Sequence, residues 1–289
     1  MKNLLFSQKS NASHWVGDGF PVHSIFTYND IAKETSPFLL MDYAAPYEFP
    51  PSEYSRGVGE HPHRGFETVT IVYDGEVEHR DSAGGGGRIG PGDVQWMTAA
   101  SGLVHEEKHG QDFSRRGGVF EMVQLWVNLP AKHKMDRPRY QGIRNGDIPL
   151  VAIPGGSVRV IAGDFNSNRG PASTFTPINL WDVRLRAGYD LEAKVPVGHT
   201  ALVFVLSGRV RLASGETLEP AELGVLDRKD ATLGLTALED AKLLFLGGEP
   251  IDEPIVGYGP FVMNSFEEIQ QAFADFQSGR MGAIAEEAY

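Results

Sequence analysis

Two short stretches carry the residue types best suited to chemistry, His61-Pro62-His63 and His105-Glu106-Glu107. Side chains at i and i+2 of an extended chain share a face, so each stretch can aim both of its outer members at one point. Imidazole with carboxylate suits iron, zinc, copper, nickel or manganese. Three histidines and one carboxylate fill four positions of an octahedron. The open positions then admit a substrate and a small molecule such as dioxygen, which favours Fe(II)-type chemistry over a closed structural zinc site.

Spacing alone leaves the carboxylate open. Glu67 and Glu106 compete with Glu107, and His109 shares strand parity with His105 and Glu107, as a ligand or as a neighbour of one. His14, His23, His79, His133 and His199 are expected to be structural or solvated. Arg64 is expected at the surface, while Trp96 and Trp126 are expected in the core or beside an apolar pocket. The chain has no cysteine, which excludes disulfides and thiolate sites. It also has no serine-hydrolase elbow and no dinucleotide fingerprint.

The elements that must position these residues read as strands. Thr68 to Tyr73 is β-branched and aromatic, Asp74-Gly75 is a hairpin signal, and Glu76 to Asp81 alternates, which predicts a hairpin between the two ligand pairs. Gly84 to Gly87 reads as a flexible loop. Pro91-Gly92-Asp93 turns the chain into a strand over 94–98, and another strand is expected over 119–129. Residues 1–55 read as an irregular packed entry segment with one strand near 36–43.

The pattern recurs. Ala201 to Leu212 resembles Val69 to Glu78, and Leu218 to Leu226 echoes Ile89 to Met97, as expected of a duplicated β domain. The second copy has only His199 near its hairpin and should be metal-free. A capping box at Ser265 and Glu268 opens a C-terminal helix, with Phe266, Ile269, Phe273 and Phe276 on one face. The expected layout is an N-terminal metal-binding domain over 1–133, a linker over 134–146, and a metal-free domain with the terminal helix over 147–289.

Composition supports an all-β class: 34 glycines and 18 prolines punctuate short apolar runs in 289 residues. Net charge is −12 with no basic stripe, which argues against direct nucleic-acid binding. The N-terminal apolar run is too short for a secretory signal and no stretch is long enough to span a membrane, so a cytoplasmic protein is expected.

The segments His61 to Val69, Pro91 to Ala99, Gln124 to Pro130 and Gly259 to Asn264 resemble the pirin family of the cupin superfamily, in the same order. The resemblance implies two tandem antiparallel β-barrel cupin domains with metal in the first alone. It maps the ligands onto His61, His63, His105 and Glu107, with Fe(II) the usual metal and Mn, Co, Ni, Cu or Zn as alternatives. Ordinary cupins draw their carboxylate from the first motif and pirins from the second, so Glu67 becomes a hydrogen-bonding neighbour. By the same resemblance the activity is that of a quercetin 2,3-dioxygenase, which opens the flavonol ring with O₂ and releases CO, with Glu107 accepting the substrate proton. The family also implies an alternative role, an iron-dependent regulator acting through protein partners.

Overall fold

The computed structural model describes residues 1–10 and 12–285, and these form short antiparallel strands with few helices. Two compact units emerge, each built from separated pieces of chain. One comprises Ala12–Ser24, Phe38–Asn145 and the segment from Ile251 onward; the other comprises residues 1–10, Ile25–Pro37 and Gly146–Pro250. We call them the first and second units.

In the first unit a seven-stranded sheet runs Arg139–Ile143, Val94–Thr98, Phe66–Asp74, Gly118–Asn128, Phe38–Phe49, Phe20–Thr27, His14–Val16. A four-stranded sheet runs Gly57–His63, Leu103–His109, Val77–Asp81, Gly86–Ile89. Val72, Met122 and Phe20 of the larger sheet share one core with Val77 and Ile89 of the smaller. Phe66–Asp74 is central in its sheet and buried at every position but the last, the environment for which its valines, isoleucine, threonines and tyrosine are suited. The second unit repeats the plan, with seven- and four-stranded sheets around a core of Val203, Phe245, Leu233 and Val210.

Several expectations change. The sheets are open, with separate edge strands, so each unit is a pair of packed sheets rather than a closed barrel. The Asp74-Gly75 turn makes no hairpin: Phe66–Asp74 pairs with Val94–Thr98 and Gly118–Asn128, while Val77–Asp81 pairs with Leu103–His109 and Gly86–Ile89. The turn carries the chain from one sheet to the other. Gly75 has φ 86°, and a Cβ there would lie 2.5 Å from Phe120 Cδ2, so a side chain is excluded both by conformation and by space. Gly208, at φ 75°, makes the same crossing between Thr200–Ser207 and Val210–Leu212 in the second unit.

The entry segment is largely strand rather than irregular: Leu4–Lys9 pairs with Glu222–Leu226 of the second unit, and Phe38–Phe49 extends beyond the one strand expected near 36–43. The expected linker is also structured. Arg139–Ile143 pairs with Val94–Thr98, and buried Lys134 donates to the Gly65 and Val262 carbonyls and to Asn128 Oδ1. Phe266–Gln277 is the expected helix with its Ser265–Glu268 capping box, but it packs in the first unit, not the second. Its contact face is Ile269, Ala272 and Phe273 against Val104, Phe261 and Met263, whereas Phe266 and Phe276 are exposed. Arg64 is buried instead of solvated, donating to Ser101 O at 2.7 Å and to Asp275 Oδ2 of this helix at 2.9 Å.

Candidate metal centre

Gly57–His63 and Leu103–His109 are hydrogen-bonded neighbours, and their register sets His61 opposite His105 and His63 opposite Leu103. The i,i+2 geometry turns all three imidazoles inward, with ring centroids 4.9 Å apart for His61–His63, 4.2 Å for His61–His105 and 4.9 Å for His63–His105. A ligand atom of each lies within 4.8 Å of the others. This is the spacing needed to share one ion.

Hydrogen bonds settle which nitrogen each ring presents. His61 Nδ1 donates to Gly59 O at 2.8 Å and His63 Nδ1 to Pro260 O at 3.2 Å, since a carbonyl can only accept. His105 Nδ1 meets His79 Nδ1 at 3.3 Å, and His79 Nε2 meets Asp81 Oδ2 at 3.1 Å. Burial alone would push the Asp81 carboxyl up, yet donors from His79, Gly85 and Ala83 hold it below the usual carboxylate range. The ionised carboxylate takes the His79 Nε2–H. His79 Nδ1 is then the acceptor, and His105 Nδ1 the donor. Each Nε2 of the triad is left with a lone pair.

His105 Nε2 is fully buried and finds no hydrogen-bond partner among the described residues. An orphaned buried acceptor is costly, and a cation is the partner that fits it. Burial lowers the basicity of His63 to about 3 and that of His105 well below its ordinary value, so both rings are neutral at pH 7, the state in which imidazole ligates. The residues therefore fit a metal ion.

Glu107 joins His79 and His105 in a second, overlapping group of potential ligands. Its Oε1 accepts from Gln95 Nε2 and from Thr70 Oγ1 at 3.3 Å, and its Oε2 lies 3.5 Å from Gln124 Nε2. Tyr140 OH donates to Gln95 Oε1 at 3.3 Å; burial, then the charge on Glu107, push this phenol up to about 12. Half-buried Trp126 stacks on Phe66 at 4.3 Å and meets His63 edge-on at 5.3 Å, giving the site an aromatic wall.

The competing residues lie elsewhere. Glu106 points to the other strand face, where it pairs with Arg80 and Lys108. Glu67 has the opposite parity to Thr70, and its carboxylate accepts from Thr98 Oγ1 at 2.6 Å with Arg139 at 3.8 Å. His109 donates to or accepts from nothing in the triad: its Nε2 donates to Gly19 O at 2.8 Å and its ring packs among Phe20, Phe49, Phe113 and Phe120. Neither Glu67 nor His109 belongs to either ligand group among the described residues.

The sequence models of the Pirin family and of the Pirin C-terminal cupin domain match residues 19–127 and 180–282 respectively. The chain belongs to the pirin family. A Pseudomonas aeruginosa relative provisionally named a quercetin 2,3-dioxygenase is 57% identical, over 97% of this chain and 98% of its own. A pirin-like protein of Caulobacter vibrioides is 42% identical over 86% of this chain and 88% of its own. The crystal structure of quercetin 2,3-dioxygenase from Acinetobacter baumannii, 52% identical, superposes with a TM-score of 0.96 and covers 99% of this chain and 100% of that one.

The family's paired cupin domains make the strand registers of the two units directly comparable. Ala193 pairs with Leu233 in the second unit as His61 pairs with His105 in the first, and Leu212 pairs with Leu235 as His79 pairs with Glu107. Val195 follows Ala193 as His63 follows His61. All five replacements lie in the second unit's hydrophobic core. His199 sits instead in the turn after Pro196, its N–H bonded to the Pro196 carbonyl at 3.2 Å.

Thr70, Gln95, Gln124, His79 and Asp81 were not singled out by sequence as site residues. His79-Arg80-Asp81 nevertheless has the same i,i+2 signature as the two ligand pairs, and that parity was the available signal.

Proposed function

We propose that this pirin is a metal-dependent quercetin 2,3-dioxygenase, with the ion held by the Nε2 atoms of His61, His63 and His105 and by Glu107. The observation that carries the reading is the convergence of three imidazoles locked in one tautomer, with the buried His105 Nε2 otherwise orphaned. The names of the nearly full-length relatives supply the substrate class. The donor set suits several transition metals, and Fe(II) is the one we favour because three histidines and one carboxylate leave coordination positions open for substrate and dioxygen.

Such an ion, when bound, supplies Lewis-acid polarisation of a flavonol hydroxyl and the electron chemistry that dioxygen requires. The protein's own part is positional and acid–base. Glu107 accepts the 3-hydroxyl proton, and Gln95, Thr70 and Gln124 fix its carboxylate for that transfer. Trp126 and Phe66 offer a flat apolar wall to a planar aromatic substrate.

An aerobic assay with protein loaded with Fe(II), Mn(II), Co(II), Ni(II) or Cu(II) should consume quercetin and evolve CO. Metal-loaded protein that does neither refutes the reading.

A further inference from the structure

Of the three site imidazoles, His61 and His63 rest their Nδ1–H groups on neutral backbone carbonyls, whereas His105 rests on a side-chain relay that ends in a carboxylate. His79 and Asp81 are both buried. The relay is built rigidly: the His79 ring stacks on Tyr140 with centroids 5.0 Å apart and planes 15° apart, and Asp81 Oδ1 accepts from the Ala83 and Gly85 N–H groups, both at 2.8 Å. Within the glycine run, a Cβ at Gly85 would run into the Asp81 carboxylate and the Tyr140 side chain, and one at Gly86 would lie 2.8 Å from the His79 carbonyl oxygen. In the second unit the relay is missing together with the ligands: Leu212 occupies the register position of His79, and Ser214 follows it at the place of Asp81.

We infer that Asp81 and His79 are positioning residues that hold His105 in its ligating tautomer and pass carboxylate charge through it. The inference rests on the metal reading above. Its first consequence is affinity, because a ligating histidine backed by a carboxylate is oriented and more basic. Its second is redox poise, because extra negative charge on a ligand favours the higher oxidation state of the ion. The direction of the relay depends on Asp81 accepting only. An asparagine keeps Oδ1 for Ala83 and Gly85 but turns an NH₂ donor toward His79 Nε2. His79 then carries its proton on Nδ1, His105 must present a lone pair there, and its own proton moves to Nε2, where it blocks ligation.

The test is Fe(II) affinity, by competition with a chromophoric chelator, together with the Fe(III)/Fe(II) midpoint potential of the loaded full-length protein. Asp81→Asn should bind Fe(II) about 10- to 100-fold more weakly than wild type and shift the midpoint upward. His79→Gln, which retains an acceptor toward His105 without a carboxylate behind it, should shift the midpoint in the same direction and serves if Asp81→Asn does not fold. Weaker binding at an unchanged or lowered potential would assign both residues to packing and overturn the inference, as would variants that match wild type in both measurements. Wild-type protein that takes up no iron would overturn the metal reading and this inference together.

Discussion

At the scale of single residues, the candidate centre is a set of proton positions as much as a set of ligands. His61→Ala and His105→Ala should each abolish stoichiometric metal binding while circular dichroism stays that of the native fold, and His199→Ala should leave metal content unchanged; elemental analysis of the purified variants decides this. Glu67 supplies a pH signature. Burial pushes its carboxyl up to about 7 from an ordinary value of 4.5, against the opposing hydrogen bond from Thr98 and the Arg139 charge. The folded state therefore holds this proton more tightly than the unfolded state. Its contribution to stability is complete below about pH 4.5 and is lost as pH rises through 7, by on the order of 3 kcal/mol. Thermal melts of metal-free wild type and Glu67→Gln should diverge in the variant's favour between pH 5 and pH 8, and parallel curves would refute the assignment. The triad histidines were legible because i,i+2 parity is a local property. The network around Glu107 was not, because Thr70, Gln95 and Gln124 meet only through the registers of separate strands.

At the scale of elements, runs of β-branched residues located the strands but not their partners. Thr68 to Tyr73 and Val77 to Asp81 were readable as strands, yet whether a two-residue turn closes a hairpin or crosses between sheets depends on what packs behind it. Here the packing is Phe120 against Gly75. The terminal helix shows the same limit. Its capping box was visible, but Phe266 and Phe276 share the apolar stripe only by spacing, and the buried positions near its end include Asp275, drawn in by Arg64. Ser265→Ala removes the acceptor for the Glu268 N–H and should cost the helix about 1 kcal/mol, seen as roughly fivefold faster amide exchange within Phe266–Gln277.

At the scale of the whole molecule, the duplication visible in sequence is real in topology and selective in chemistry. Ala193, Val195, Leu233, Leu235 and Leu212 fill with hydrocarbon the space that the first unit gives to polar ligands. Titration of metal-free protein should accordingly saturate at one metal equivalent per chain, and a second tight equivalent would contradict the correspondence. The pairing of Ala193 with Leu233 could be known only once the strands were in register; the sequence offered no more than the scarcity of histidine. The interleaved chain path has a further consequence for synthesis on the ribosome. His63 takes its carbonyl partner from Pro260, and the Arg64 clamp closes on Asp275, both translated long after the strands that carry the site. A nascent chain that has already emerged past all three histidines and Glu107 still lacks the piece that orients one of them, so the candidate site is completed only after the chain through Pro260 has emerged.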